Sequence, residues 1–345
     1  MKMANPALSS IAANEGHGMA DTSIEISVKG KWVRVPALTV NGTTIVVRGR
    51  WVRMAIIHDE EWLVSELEEP EVCIRTLKEQ KSPGLRADIF TFAQKLPNTI
   101  PKYPYPVEWD GVAAITLSSF KDWWEQRLPQ ETRKNVRRSL KRGVVISLRE
   151  LDDNLIKGIV ELNNDSPVRQ GVPFVHYRKT YDQVKRDQSS FLDRSDFICA
   201  YLGNELIGLL KLVYRGDVAS ILQLLSKGSH YDKRPGNALI AKAVERCEQK
   251  GVSYVTYGKY RYGNQERTSL LEFKMRNGFE EILVPRFYVP LTNKGKVAMT
   301  LKLHRDLVAL LPESAIHFGR NLRAKWYTLR TSSGRRSSMV EWPKL

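Results

Sequence analysis

The chain predicts an α/β (α+β) fold: a mixed twisted sheet flanked by helices, with a small β-rich region before it and a basic helical tail after it. Three observations predict this. Residues 23–57 alternate apolar and polar side chains with many β-branched and aromatic residues. Residues 195–290 read as three consecutive strands, a helix, a strand, a helix and a strand. Between them lies the proline-rich connector LPNTIPKYPYPV at 96–107, whose four prolines exclude a regular helix. These divide the chain into a disordered leader (1–20), a β-rich region (21–100), a main domain (101–293) and a basic tail (294–345).

At 345 residues the chain has room for one large domain or two ordinary ones, and it can bury a core without disulfide or metal staples. Hydrophobic residues make up 42% of it, as in globular proteins. Cys73, Cys199 and Cys247 lack metal-ligand spacing and sit in apolar surroundings, so they read as buried thiols in a reducing compartment. No apolar run reaches the length of a membrane span, and Met1 to Ala20 lacks the apolar core of a secretory signal. The expected location is cytoplasmic, with a peripheral place at the inner membrane face as the alternative.

Asn41-Gly42 between alternating runs predicts a hairpin. The near repeat Lys29–Val35 and Arg48–Met54 fits a small meander, with Trp32 and Trp51 packing across strands or lining a surface. The acidic stretch 58–80 reads as helical. Residues 118–143 read as a helix interrupted at Pro129 and stopped at Gly143. A strand (144–149), a helix (151–162) and a loop (163–177) follow. A hairpin turning at Gly203-Asn204, a strand over 218–227 and a helix from Asn237 to Lys250 come next. The last three elements are a strand at 253–257, a helix at 268–276 and a strand at 281–290.

The net charge of +16 selects polyanionic partners: nucleic acid, an anionic membrane or phosphate-bearing cofactors. Six bases stand against one acid between Glu131 and Arg142, and eleven against three from Lys294 onward. The tail stripe of Val297, Leu301, Val308 and Leu311 beside Lys294, Lys296, Lys302 and Arg305 can lie on anionic lipid or pack on the sheet.

The loop Lys233-Arg234-Pro235-Gly236-Asn237-Ala238 joins a strand to a helix. A helix N-terminus with a glycine and flanking cations is suited to phosphate, because free amides point at the anion and glycine lets it approach. This K-x-x-G-x-A loop resembles the acyl-CoA pyrophosphate loop of the GNAT superfamily, written Q/R-x-x-G-x-G/A, with Lys233 where Gln or Arg is usual. A closer likeness is to its Fem-type and BioF2-like branch. The basic helix Arg133–Arg142 before Gly143-Val144, the GPNxLL-like start at Pro235–Leu239, the strand and Gly loop Tyr254–Gly258, and the pair Phe273-Lys274 are similar to that branch. The likeness spans about Phe120 to Pro290, half the chain.

The resemblance implies direct transfer of an acyl group to an amine acceptor, small molecule or peptide, with acyl-CoA or acetyl-CoA as donor and no metal. Fem-type relatives use aminoacyl-tRNA instead. In that branch two such domains are usual, and the sequence shows one clear copy. A third reading is a non-catalytic nucleic-acid- or membrane-binding protein on the same scaffold. The donor would meet Ser226, Lys227, Lys233, Arg234, Gly236, Asn237 and Ala238. The strand 218–227 offers no carboxylate as base; Gln223 and Ser226 are its polar residues, and His230 or His176 could carry the proton. Tyr257, Tyr260 and Tyr262, beside Lys259, cluster where a tyrosine general acid is common in the superfamily. The loop before the hairpin would wall the acceptor, with Arg169 and Gln170 for its anionic group and Phe174, His176 and Tyr177 for its apolar side.

Overall fold

Turn chemistry and alternation build the first strands of the computed structural model, which describes residues 22–28, 31–169, 172–262 and 268–305. The leader over 1–20 and the tail beyond 305 therefore fall outside the described residues. Strands β1 (Thr22–Val28), β2 (Lys31–Val40), β3 (Thr43–Arg48) and β4 (Met54–Ile57) form an antiparallel meander. The β2–β3 turn places both Asn41 (φ 45) and Gly42 (φ 75) in the left-handed region, as a two-residue type I′ turn requires. Trp51 lies outside the strands and is 86% exposed.

The helix expected over 58–80 is shorter than its composition suggests. A 3-10 turn (Glu60–Trp62) and irregular chain precede α1 (Pro70–Glu79), whose first residue is a proline pre-set for that position. The intervening carboxylates instead cap amides elsewhere. Glu60 Oε1 accepts from Ala93 N at 2.7 Å, and Glu66 Oε2 accepts from Lys95 N at 3.1 Å. After α1 the chain returns as β5 (Ile89–Ala93), parallel to β4.

β6 (Val107–Thr116) leads through α2 (Phe120–Asp122), capped by Ser119, into a π turn over Trp123–Arg127. Helix α3 (Gln130–Lys141) starts after Pro129, and β7 (Val144–Arg149) follows Gly143. Then come α4 (Asp153–Asn163), a two-stranded ribbon of β8 (Val168–Arg169) and β9 (Val172–Pro173), and α5 (Tyr181–Gln188). Thr180 and Gln183 cap α5 reciprocally.

β10 (Ser195–Leu202), β11 (Glu205–Arg215) and β12 (Val218–Ser226) are antiparallel neighbours. Helix α6 (Pro235–Gln249) crosses over to β13 (Tyr254–Lys259), parallel to β12. α7 (Ser269–Arg276), β14 (Glu280–Pro290) and α8 (Asn293–Thr300) complete the described chain.

All strands but β8 and β9 join one twelve-stranded sheet ordered β1-β2-β3-β4-β5-β14-β6-β13-β12-β11-β10-β7. Alternation along β10 explains its two layers. Ile198 and Ala200 face a core with α6 and Trp123, whereas Phe197 and Cys199 face one with α4 and Val184. A third core in the N-terminal half takes in Phe287 and Val289 of β14. The β-rich region and the main domain thus share a strand, and the sheet runs unbroken past the proline-rich connector.

The topology also repeats. Antiparallel β2-β3-β4, crossover α1 and parallel β5 match antiparallel β10-β11-β12, crossover α6 and parallel β13. The single copy legible in the sequence is therefore accompanied by a second, shorter one. Of the two fates open to the tail stripe, its described residues do not pack on the sheet. Val297 and Leu301 are 59% and 61% exposed, while Gly295 and Ala298 are buried. A side chain at 295 would collide with the Asp88 carbonyl, so this close approach, rather than the larger apolar residues, decides the inward face. Val308 and Leu311 lie outside the described residues. Cys73, Cys199 and Cys247 are buried and free. Among the described residues no helix is long and apolar enough to cross a membrane.

Candidate active site

β12 and β13 pair at Val218/Tyr254, Ala219/Val255 and Ser220/Thr256, and then diverge. β13 turns away at Gly258 (φ 57), where its register with β6 shifts between Thr256 and Lys259. A wedge opens between the end of β12 and the end of β13, leaving one edge of β12 beyond Ser220 without a strand partner. The last rung is held by Ser220 Oγ and Thr256 Oγ1, 2.6 Å apart, and Arg215 donates to Ser220 Oγ from both Nε and Nη2 at 3.2 Å.

The chain leaves β12 through a 3-10 segment, Gly228–Lys233, and enters α6 with Arg234 in the left-handed region and Pro235 at the first helical position. The N-cap residue Arg234 makes no side-chain cap hydrogen bond among the described residues. A Cβ built at Gly236 would lie 3.5 Å from Phe273 Cζ and 3.6 Å from Ser226 Oγ, so α7 packs directly over the loop. Asn237 Nδ2 donates to Asn277 Oδ1 at 3.0 Å, joining the two helices. Lys233 pairs with Asp232 at 2.7 Å.

Beside the wedge lies a cavity of about 140 Å³, between the loops that follow β4 and β5 and the surface of β6, β13 and β14. Arg286 is its central strut. Its guanidinium pairs with Asp110 Oδ2 at 2.5 Å and Glu60 Oε2 at 2.8 Å. Burial alone would lower the pKa of Arg286, yet these two carboxylates raise it well above the usual guanidinium value. Burial likewise opposes ionisation of Asp110, but Arg286 and Lys259 outweigh it and lower the pKa.

Glu61 is different. Among the described residues it has neither a hydrogen-bond nor an ion-pair partner. Solvent reaches it through the cavity, but the surrounding protein raises its pKa against the opposing pull of Arg215, Lys274, Lys259 and Lys95. Lys95 donates to Leu63 O at 2.6 Å. Burial, aided by Arg215 and opposed by Glu60 and Glu66, brings its pKa down to about 7. Behind the cavity Lys274 is fully buried and donates to Lys259 O at 2.5 Å. Its ammonium sits 4.9 Å from the Tyr257 ring centre and 4.8 Å from that of Tyr262, and burial lowers its pKa to about 8.

The residues singled out from sequence fall into several places. Ser226, Gly236 and Lys259 border the wedge or the cavity, with Arg234 and Ala238 in the turn that opens α6. Among the tyrosines, the Tyr262 hydroxyl lies over Gly258, 2.5 Å from a Cβ built there. Tyr257 packs beside Phe279 and is pushed up to about 12 by burial, and Tyr260 donates its backbone amide to Gly111 O. His230 and Lys227 are both tied to Glu205, at 3.2 and 2.7 Å. Gln223 accepts from Gln188 at 2.7 Å. Arg169 stacks on Phe174 at 4.3 Å and donates to Leu162 O and Ser226 O, which braces the loop against β12. His176 lies 3.8 Å from Asp187 in a separate groove, and Gln170 falls outside the described residues. Glu60, Glu61, Lys95, Arg215 and Arg286 were invisible to sequence reasoning. The two glutamates lie in the acidic stretch that reads as helical.

No family model matches the chain, and no curated protein matches it in sequence. Solved structures do match in fold. The C-terminal domain of a protein named as a lysylphosphatidylglycerol synthetase from Agrobacterium fabrum is 13% identical, with a TM-score of 0.51 over 75% of this chain and 83% of that one. A conserved protein from Bacteroides thetaiotaomicron is 8% identical, with a TM-score of 0.50 over 74% and 86%. A structure of FemX is 11% identical, with a TM-score of 0.49 over 82% and 90%. The sheet and its flanking helices are GNAT-like in architecture.

Proposed function

We propose that this chain is an N-acyltransferase that moves an acyl group from acyl-CoA to an amine by direct attack. The observation that carries the reading is the wedge between β12 and β13, which opens at Ser220/Thr256 beside the start of α6. An acyl carrier lying in that wedge can meet the unpaired edge of β12. Its phosphates would meet the amides around Gly236 and Ala238, with Lys233 and Arg234 adding charge. A developing oxyanion is best stabilised by donors fixed in advance, and a strand edge is such an array. The hydroxyl of Tyr262, which reaches over Gly258, supports assigning this tyrosine as the acid that protonates the leaving thiolate.

The test is titration of the full chain with acetyl-CoA and longer acyl-CoAs, followed by calorimetry and thermal stabilisation. A ligand that binds only the native state adds about 2.7 kcal/mol of stability at one hundred times its Kd. Lack of stabilisation by every CoA species would refute the CoA donor.

One observation favours a second donor. Pro235 removes an amide from the turn that would hold pyrophosphate, and α3, with Lys134, Arg137, Arg138, Lys141 and Arg142 exposed, packs on α6. That basic face suits aminoacyl-tRNA. Binding of tRNA with a steep salt dependence, in the absence of CoA binding, would select this reading.

A further inference from the structure

The cavity beside the wedge is lined by three carboxylates and four cations, and its charges are unequally committed. Glu60 and Asp110 are both bound to Arg286. Glu61 is bound to nothing among the described residues, yet it lies among cations from four elements: Lys95 after β5, Arg215 at the end of β11, Lys259 on β13 and Lys274 on α7. Arg215 is anchored to Ser220 Oγ, the last rung before β12 and β13 part, so this end of the cavity abuts the place where an acyl carbonyl would lie.

We propose that the cavity is the acceptor subsite and that Glu61 is the catalytic base, with Lys95 and Arg215 holding an anionic group carried by the same amine. This deepens the acyltransferase reading and rests on it. A plain alkylammonium ion entering here meets three carboxylates and four cations, of which only Glu61 is uncommitted to attract it while Lys95 and Arg215 oppose it. An amine with a carboxylate or phosphate a few bonds away offers both complements at once. A volume of about 140 Å³ suits such a small group, being close to that of cavities that hold one benzene.

The step balances without a further reactant. The incoming ammonium gives one proton to Glu61, and the freed amine forms an N–C bond to the thioester carbonyl carbon. The C–S bond breaks, the nitrogen loses its second proton to solvent, the sulfur leaves as a thiol with the Tyr262 proton, which solvent replaces, and Glu61 releases its proton to solvent to reset the site. Glu61 comes from the loop after β4, so the shorter N-terminal copy completes a site whose donor side belongs to the longer one. The β-rich region thereby acquires a role in recognition as well as packing.

Matched amines test this: 4-aminobutyrate against butylamine, and phosphoethanolamine against ethanolamine, with acetyl-CoA as donor. The expected result is at least a tenfold higher kcat/KM for the anionic member of one pair, with the preference collapsing in Lys95→Met. The pair that responds separates carboxylate from phosphate recognition. Glu61→Gln should lower kcat by about 10²- to 10⁴-fold and remove the acid limb of its pH profile, while acetyl-CoA affinity stays unchanged. Glu61→Asp should restore part of the rate. Equal use of the paired amines, acylation of neither, or a Glu61→Gln enzyme at the wild-type rate overturns the proposal. Calorimetry of 4-aminobutyrate and phosphoethanolamine without donor reads the subsite separately. No binding of either overturns the inference even if acetyl-CoA binds, whereas failure of acetyl-CoA alone counts against the CoA reading.

Discussion

Replacing Gly236 by alanine separates the donor site from the fold. The new Cβ would lie 3.5 Å from Phe273 Cζ and 3.6 Å from Ser226 Oγ, which is ordinary van der Waals contact. The position is the second residue of α6 and has no left-handed φ. Alanine is up to about 1 kcal/mol better than glycine inside a helix, and less so in the first turn. Stability should therefore stay within a few tenths of a kcal/mol of wild type, or rise slightly. The same methyl would stand between a phosphate and the amides that open α6. Losing one hydrogen bond to a charged group costs about 1.5–3 kcal/mol, which is roughly a 10- to 150-fold weaker Kd. The assay is calorimetric titration with acetyl-CoA beside a urea unfolding curve on the same preparation. An acetyl-CoA Kd within twofold of wild type, at unchanged stability, would refute phosphate binding at this turn. A large loss of stability would instead refute the packing argument.

Three further outcomes follow from the same geometry. Gly258→Ala forces a side chain into a left-handed φ and against the Tyr262 hydroxyl, so it should cost about 1–2 kcal/mol in backbone strain alone and lower turnover by displacing that phenol; the urea midpoint and the steady-state rate measure the two effects. Arg286→Met leaves Glu60 without its cation and Asp110 with Lys259 alone, and because these groups are only partly buried the cost should lie below the about 3–5 kcal/mol of breaking a fully buried pair; the unfolding midpoint should fall accordingly, and no change would mean the strut is dispensable. Lys95 supplies a pH test. Its folded pKa, about 7, lies below its unfolded value near 10.4, so the unfolded chain binds more protons between these pH values and wild-type stability rises with pH across them. Lys95→Met lacks this contribution. The stability of Lys95→Met minus that of wild type should therefore fall from pH 6 to pH 9, by up to about 1.4 kcal/mol per pH unit above pH 7, and a pH-independent difference would contradict the buried ammonium.

Short-range chemistry was readable without the fold. Asn41-Gly42 specified its turn, Gly203-Asn204 marked the hairpin of β10 and β11, and residues 237–250 were readable as the helix α6. Gly236 was legible for the same reason, since a glycine at a strand-to-helix junction is a local signal. Where a locally plausible pattern met a tertiary constraint, the constraint prevailed. The acidic run before Pro70 gave up its helix where Glu60 and Glu66 accept from the amides of Ala93, the last residue of β5, and Lys95 just after it. The apolar stripe on α8 faces outward because the backbone at Gly295 approaches Asp88 too closely for any side chain.

The second copy and the cavity around Glu61 were beyond the sequence altogether. Alternation states which face of a strand is buried but not which strand lies beside it, so nothing in residues 22–93 announced a parallel β4–β5 pair or the insertion of β14 next to β5. Glu61 is one acid in an acidic run until folding brings Lys95, Arg215, Lys259 and Lys274 around it. Sequence determined the residues able to bind a phosphate or carry a proton. Tertiary structure decided which of them meet, because an electrostatic environment belongs to a place in space and the chain brings distant segments there only by closing the sheet.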